Sequence, residues 1–312
     1  MSTKTMRTIH LVASAAFVAS TISFAGCGGG ASEQPTVVLK AREGGSGGGH
    51  IDGPPPTPTP ANGGPAPAGG FGGWKGKVVF GGTLPQLPPL IAQGDATAKD
   101  PAVCAAQPVP NQRLVGQDGG VANVFIYLRS APSGAAAAEA PSEEAVFDQK
   151  GCVFLPHAMF VRTDQPIRVL SDDPIAHNTH TFPKRNSSFN QVIGASDRTG
   201  VTFQYSRAES EPVSVKCDFH AWMQAYHLPL DHPFAAVSAA DGSFEFPDLP
   251  AGTHEFMVWH EGVRGGFLTR AFKVTVQADQ SVEQNIDYPA DKFAANAENG
   301  ARTIVLSSLI RK

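Results

Sequence analysis

The sequence lacks the local signatures of the common enzyme classes. It contains no glycine-rich nucleotide-binding loop, no serine nucleophile elbow and no zinc-protease helix motif. It also has no basic run, and its 24 Lys and Arg are slightly outnumbered by 28 Asp and Glu, which argues against a nucleic-acid-binding protein. We therefore predict that the protein is not an enzyme and binds no nucleic acid.

Long apolar runs are also missing, apart from one near the start of the chain. Residues 11–24 form an apolar stretch that is too short to span a bilayer comfortably; Lys4 and Arg7 precede it, and small residues and Cys27 follow it. Residues 1–27 resemble a bacterial lipoprotein signal peptide, with Cys27 as the lipidation site. This predicts an exported protein that contacts a membrane only through its lipid anchor, in the periplasm or on the outer membrane or cell surface. An ordinary secretory signal with an unrelated cysteine is the alternative.

Glycine and proline are concentrated in one region. Residues 28–73 hold 15 of the 33 Gly and 8 of the 26 Pro. Glycine-rich runs are flexible, and the proline-rich residues 54–60 favour an extended backbone. This composition predicts a disordered tether over residues 28–73, with folding beginning near Trp74. Residues 291–312 are predicted to be a C-terminal tail.

Cysteine is scarce, with four residues in the chain. If Cys27 carries lipid, three thiols remain in an oxidising compartment, so one of them has no partner. Cys217 has other donor side chains beside it, whereas Cys104 and Cys152 have none. We therefore predict a Cys104–Cys152 disulfide; two separate buried thiols are the alternative.

Three soft donors follow one another closely after a predicted strand. Cys217, His220 and Met223 form a Cys-x2-His-x2-Met pattern, and the alternation of the strand before it turns the Cys217 sulfur inward. A thiolate, an imidazole and a thioether are the ligand types that copper prefers. His177, forty residues upstream, can supply the second imidazole that such a site needs. The pattern predicts one copper site.

This ligand pattern resembles the type 1 (blue) copper site of the cupredoxins, in particular those of the amicyanin and pseudoazurin type. The resemblance covers about residues 146–230. It implies that His177 and His220 are imidazole ligands, that Cys217 is the thiolate ligand and that Met223 is a weak axial ligand.

The resemblance also assigns roles to the neighbours of these residues. Asn178 is expected to tie the two ligand-bearing loops together. For His180, the geometry of the predicted strand favours a solvent-facing position, with a role as an additional ligand as the alternative. His220 is expected to be partly exposed, with Trp222 and Phe219 forming an apolar electron-transfer rim around it. Simple packing is an equal alternative for Trp222.

Short predicted strands flank the copper region on both sides. Residues 74–84 and 119–128 precede it, and residues 241–252 after it resemble the turn-strand-turn signature of carboxypeptidase regulatory-like (transthyretin-like) sandwiches. The predicted fold is all-β: a cupredoxin-like Greek-key β-sandwich inserted in, or packed beside, a transthyretin-like β-sandwich. The cupredoxin-like domain is predicted over residues 141–232 and the discontinuous sandwich over 74–140 and 233–290. One continuous, elaborated sandwich is the alternative.

These patterns predict a lipid-anchored type 1 copper protein that carries single electrons between periplasmic or cell-surface redox partners. The resemblance suggests a cytochrome or a dehydrogenase as the partner. Catalysis by a trinuclear copper cluster is not expected, because the chain has no paired His-x-His motifs. The alternative is a cell-surface structural or binding lipoprotein whose sandwich recognises a partner, with copper absent or only stored.

Overall fold

The computed structural model describes residues 69–133, 135 and 139–294, and β-strands dominate this part of the chain. The predicted signal peptide with Cys27, the tether as far as residue 68 and the tail from residue 295 lie outside the described residues. The all-β fold class is confirmed. No helix in the described ranges is long and apolar enough to cross a membrane.

The described elements are numbered here in chain order. The strands are β1 (Phe71–Gly81), β2 (Phe125–Leu128), β3 (Ala145–Lys150), β4 (Val153–Leu155), β5 (Ala158–Arg162), β6 (Ile167–Val169), β7 (His177–Phe182), β8 (Asn190–Ile193), β9 (Val201–Phe203), β10 (Val213–Lys216), β11 (Gln224–Leu230), β12 (Ala235–Val237), β13 (Ser243–Pro250), β14 (Gly252–Trp259), β15 (Phe267–Val276), β16 (Ser281–Glu283) and β17 (Ile286–Pro289). A short helix, α1 (Pro101–Cys104), and a 3-10 turn (Ala290–Lys292) complete them.

The strands form four sheets. Sheet I has the order β13-β1-β16, with β17 also paired to β1, and sheet II has the order β12-β2-β14-β15. Sheet III has the order β5-β11-β10-β7-β8, and sheet IV has the order β4-β3-β6-β9. Three apolar cores lie between the sheets. Core 1 lies between sheets I and II, core 2 between sheets III and IV, and core 3 between sheets II and III. The result is two β-sandwiches packed face to face.

Sheet II is buried on both faces, and this explains the composition of its central strands. All four residues of β2 are buried. Successive side chains of a strand point to opposite faces, so Ile126 and Leu128 enter core 1 while Phe125 and Tyr127 enter core 3. A continuous apolar run, rather than alternation with polar residues, is the pattern of such a strand.

The second sandwich is inserted into the first along the chain. Sheets III and IV contain only strands from residues 145 to 230. The strands on either side of this segment, β2 and β12, are antiparallel neighbours in sheet II, where Tyr127 pairs with Ala235. The chain therefore leaves sheet II at the end of β2, builds the second sandwich and returns to pair with the strand it left.

The folded part begins earlier than the composition suggests. The sequence predicts a tether that extends to residue 73, but β1 begins at Phe71 and pairs there with Pro250 of β13. The glycines at this point are needed for close approach, since a Cβ on Gly72 would lie 2.2 Å from the carbonyl oxygen of Gln277. At the other end, Phe293 bridges to Val263, so the first residues of the predicted tail also belong to the fold.

One segment before β2 contributes to the second sandwich rather than to the first, in which its sequence position had placed it. Residues 91–109, here called the cap, run from Ile91 to Val109, which form an isolated bridge with each other. Val109 and Cys104 are buried in core 2. The cap is held against the second sandwich by a covalent bond, because Cys104 forms a disulfide with Cys152; the two Cα atoms are 5.4 Å apart. The predicted disulfide is thus present.

Pro229 lies within a strand, since β11 runs on to Leu230. At this point β11 has a parallel neighbour, β5, in which Val161 pairs with Pro229. The other neighbour, β10, begins at Val213, which pairs with His227, so β10 does not extend alongside Pro229. Proline has no backbone N–H, so it is tolerated in a strand where one side of the strand has no neighbouring strand to bond.

A buried histidine in core 2 is expected to make the fold sensitive to acid. His227 is fully buried, its ring centroid lies 4.4 Å from that of Phe147, and burial lowers its pKa from 6.5 to about 3. Below pH 6.5 the unfolded chain therefore takes up a proton that the native protein does not. As the pH decreases further toward the native-state pKa, His227 lowers the free energy of unfolding by about 1.4 kcal/mol per pH unit.

The His227→Gln variant should lose this contribution while keeping a polar group near the Tyr205 hydroxyl, which lies 3.2 Å from His227 Nδ1. Urea unfolding of both proteins, at about pH 7 and about pH 5, measures the difference. We expect the variant to lose less stability than the wild type between the two pH values. Equal losses in the two proteins would contradict the prediction.

Candidate metal centre

Two loops at one end of sheet III carry the predicted ligands. Cys217 follows directly after β10, and His177 is the first residue of β7. These strands are antiparallel neighbours in which Lys216 pairs with His180, so the end of one strand lies beside the start of the other. The predicted sulfur and the first predicted imidazole, forty positions apart in the sequence, are thereby brought together.

A tight turn holds the other two predicted ligands. The amide of Met223 donates to the carbonyl of His220 (2.9 Å), and the amide of Cys217 donates to the carbonyl of Met223 (3.2 Å). The turn leads directly into β11, and the Met223 side chain is buried in core 2.

Three of the predicted ligands meet in the interior. Ligand atoms of His177, Cys217 and His220 all lie within 4.8 Å of one another, and all three residues are buried. The Nδ1 atoms of His177 and His220 are 3.0 Å apart, and the Cys217 sulfur is 3.6 Å from Nδ1 of His220. A second group of potential ligands comprises Cys152, Asp173 and His177. It does not offer a thiolate, since the Cys152 sulfur is in the disulfide.

A carboxylate faces the outer nitrogen of each imidazole. Nε2 of His177 donates to Asp173 (2.9 Å), and Nε2 of His220 donates to Asp100 (3.0 Å). These bonds place a proton on Nε2 of each ring and turn each Nδ1 inward. Two imidazole nitrogens that face each other at 3.0 Å, beside a sulfur, form a stable arrangement only with a proton or a cation between them.

The protonation of the site follows the same geometry. Burial lowers the pKa of His177, but Asp173 and the Cys217 sulfur outweigh it and raise this pKa to about 9. Burial raises the pKa of the Cys217 thiol, but hydrogen bonds with His177 and His220 outweigh it and lower this pKa to about 6. The metal-free site thus favours a thiolate at neutral pH, and the thiolate is the form of cysteine that binds metals.

The donor set fits copper. One thiolate and two imidazoles in a buried site, with a methionine in the adjoining turn, form the ligand combination of blue-copper centres. The imidazoles already have their outer nitrogens fixed by carboxylates, which is how metal-binding histidines are usually oriented.

The two carboxylates were not singled out by sequence reasoning. Asp173 lies four residues before His177, and the amides of Gly151 (2.6 Å) and Cys152 (2.8 Å) donate to it. Its position close to a predicted ligand was a usable signal. No comparable signal exists for Asp100, which is 120 residues from His220 and lies in the cap.

Asn178 connects the two ligand-bearing loops. Its side-chain carbonyl accepts a hydrogen bond from the amide of Asp218 (2.6 Å), and its amide group donates to the Asp218 carboxylate (2.8 Å). Nδ1 of His180 lies 3.1 Å from the same carboxylate, on the outside of the sheet. His180 takes no part in the group of buried ligand atoms.

The surroundings of His220 differ from the expected exposed apolar rim. The His220 side chain is 0% exposed, because Asp100 lies over Nε2. Phe219 is 36% exposed, but the ammonium group of Lys99 lies 5.2 Å from its ring centroid. Trp222 is half-buried and donates from Nε1 to the carbonyl of Cys152 (3.2 Å). The cap therefore adds one acidic and one basic side chain to this surface.

No protein-family model matches the sequence, and no curated protein is similar to it. Solved structures are similar to part of it at low scores. A purple cupredoxin from Nitrosopumilus maritimus is 13% identical over 27% of this chain and 98% of its own, with a TM-score of 0.23. A mutant of amicyanin in its Cu(I) form is 14% identical over 34% of this chain and 98% of its own, with a TM-score of 0.25.

A copper-containing nitrite reductase from Thermus scotoductus is also similar, with 13% identity and a TM-score of 0.26. The match covers 32% of this chain and spans about a quarter (25%) of the reductase. The likeness to cupredoxins is thus weak and confined to about a third of the chain.

Proposed function

We propose that this protein is a type 1 copper protein that carries single electrons. The observation that carries the proposal is the pair of inward-facing Nδ1 atoms of His177 and His220, 3.0 Å apart beside the Cys217 sulfur, with each Nε2 held by a carboxylate. This arrangement brings three donor atoms of the kinds that copper prefers together in one buried place.

His177, Cys217 and His220 would hold the ion, with Met223 as the weak axial ligand. A copper ion in such a site supplies reversible one-electron chemistry between Cu(II) and Cu(I). The protein contributes rigidity, because His177 begins one strand of sheet III, Cys217 directly follows a neighbouring strand, and the other two ligands lie in a turn closed by backbone hydrogen bonds. Burial of the donors keeps water from the site, and the two carboxylates fix the ring orientations.

We also propose, from the sequence, that Cys27 anchors the exported protein to a membrane and that residues 28–68 act as a tether. A cytochrome or a dehydrogenase in the periplasm or at the cell surface would then be its redox partner. Incorporation of labelled palmitate by the wild type, but not by Cys27→Ser, tests the anchor.

The copper site is tested by metal loading of residues 28–312. We expect one Cu(II) ion per chain and an intense visible charge-transfer band, which a thiolate bound to Cu(II) in this geometry produces. The band should disappear on reduction with ascorbate and return on oxidation with ferricyanide. A protein that binds no copper, or that gives only the weak spectrum of surface-bound Cu(II), would support the alternative of a structural or binding lipoprotein.

A further inference from the structure

The cap approaches the candidate copper site through one side chain. Asp100 lies immediately before the short helix α1, and its Oδ2 atom is 3.0 Å from Nε2 of His220. The Asp100 side chain is 40% exposed on its other side, whereas His220 is completely buried beneath it. Asp100 thus separates a predicted metal ligand from solvent.

The backbone at Asp100 is unusual in a way that serves this contact. Its φ and ψ are both 52°, in the left-handed region that residues other than glycine rarely adopt. An aspartate before a helix normally accepts hydrogen bonds from the amides of the first turn, but the Asp100 side chain makes no such bond. The Asp100 carboxylate accepts a hydrogen bond from His220 instead of from the helix amides. Strained conformations of this kind persist where the surrounding structure holds them in place.

The disulfide provides that support. The amides of Val103 (3.0 Å) and Cys104 (2.9 Å) donate to the backbone carbonyl of Asp100, so the turn that carries Asp100 also carries Cys104. Cys104 is bonded to Cys152, whose amide donates to the Asp173 carboxylate (2.8 Å). The carboxylates that face the two imidazoles are therefore connected to each other through the Cys104–Cys152 bond.

We infer that Asp100 is a positioning residue for the metal centre: it holds the His220 ring with Nδ1 directed inward, and the disulfide holds Asp100 in place. The inference rests on the proposed function for its metal and on the geometry of the chain for the rest. It has a consequence for electron exchange. The His220 edge is closed by Asp100, so a redox partner meets the charged surface of the cap rather than the imidazole itself.

Asp100→Gly is the decisive variant. Glycine adopts positive φ without strain, so the turn keeps its conformation and only the carboxylate is lost. Asp279→Gly is the matched control, because Asp279 is an exposed aspartate with φ of 57° in the turn before β16, on sheet I. Asp100→Asn adds a graded case, since asparagine tolerates the same backbone and keeps an acceptor oxygen without the charge.

The first measurement is the affinity for copper alone, by competition with a chelator of known affinity. Loss of a carboxylate that orients a metal-binding histidine typically lowers metal affinity by about 10- to 100-fold. We expect a loss of that size for Asp100→Gly, a smaller loss for Asp100→Asn and no change for Asp279→Gly. Wild-type affinity in Asp100→Gly would overturn the inference.

The second measurement uses the metal-free protein and does not depend on copper. In the wild type, NMR should show a slowly exchanging proton on Nε2 of His220, because Asp100 accepts it in a buried position. Asp100→Gly should lose this signal while Asp279→Gly keeps it. A signal that persists in Asp100→Gly would overturn the inference. A wild-type protein that shows the signal but binds no copper would overturn the proposed function and leave the Asp100–His220 contact established.

Discussion

Cys217→Ser is expected to abolish the intense visible band of the copper-loaded protein completely. The band requires electron donation from a thiolate to Cu(II), and a serine hydroxyl is a hard donor that does not replace the thiolate. The fold should survive, because the substitution removes little volume and the apolar residues of core 2 stay in place. Visible absorption after copper loading measures the effect, and far-ultraviolet circular dichroism checks the fold.

His180→Gln is the matched control for this experiment. His180 lies on β7, the strand that His177 begins, but its imidazole contacts Asp218 on the outside of the sheet. The control should therefore keep the band at wild-type intensity. A blue Cys217→Ser protein, or a control that loses its colour, would show that the ligand set proposed for the site is mistaken.

Removal of the disulfide is expected to have the largest effect on stability. Cys104 and Cys152 are 48 positions apart. A crosslink that closes a loop of this length lowers the entropy of the unfolded chain and so raises the free energy of the unfolded state by about 4 kcal/mol. The double variant Cys104→Ala/Cys152→Ala should lose that amount of unfolding free energy. It should also release copper faster, because the cap that holds Asp100 over His220 is no longer tied to the second sandwich. Urea unfolding and transfer of copper to a chelator are the measurements.

Val109→Ala separates the disulfide from ordinary packing. Val109 is buried in core 2 and belongs to the same cap, so its truncation removes apolar contacts while the covalent bond remains. This control should lose much less stability and should retain its copper. If the free energy of unfolding of the double variant lay within about 1 kcal/mol of the wild-type value, the stabilising role of the disulfide would be refuted.

The order of elements in this fold was predictable because local patterns specify it. Apolar segments bounded by Gly and Pro indicated strands, and β1, β2 and β13 of the structure overlap the segments predicted for them. The four-layer arrangement was not predictable to the same degree. An apolar run such as Phe125–Leu128 shows that both faces of a strand are buried, but it does not say which sheet covers each face.

The donors of the candidate site divide in the same way. Cys217, His220 and Met223 lie within seven residues, so the sequence by itself determined that three soft donors are carried by one short segment. Cysteine arithmetic likewise determined the disulfide, because one remaining thiol already had other donors beside it.

Only the tertiary structure decided how this site is closed. Asp100 reaches His220 across 120 residues, and its role depends on a cap that folds back onto the second sandwich and is held there by a bond to Cys152. Burial of His220, the direction of its Nδ1 atom and the charged surface above it follow from that docking. A contact of this range leaves no periodicity or spacing in the sequence, because its two sides are brought together by packing and a covalent bond rather than by the local conformation of either segment.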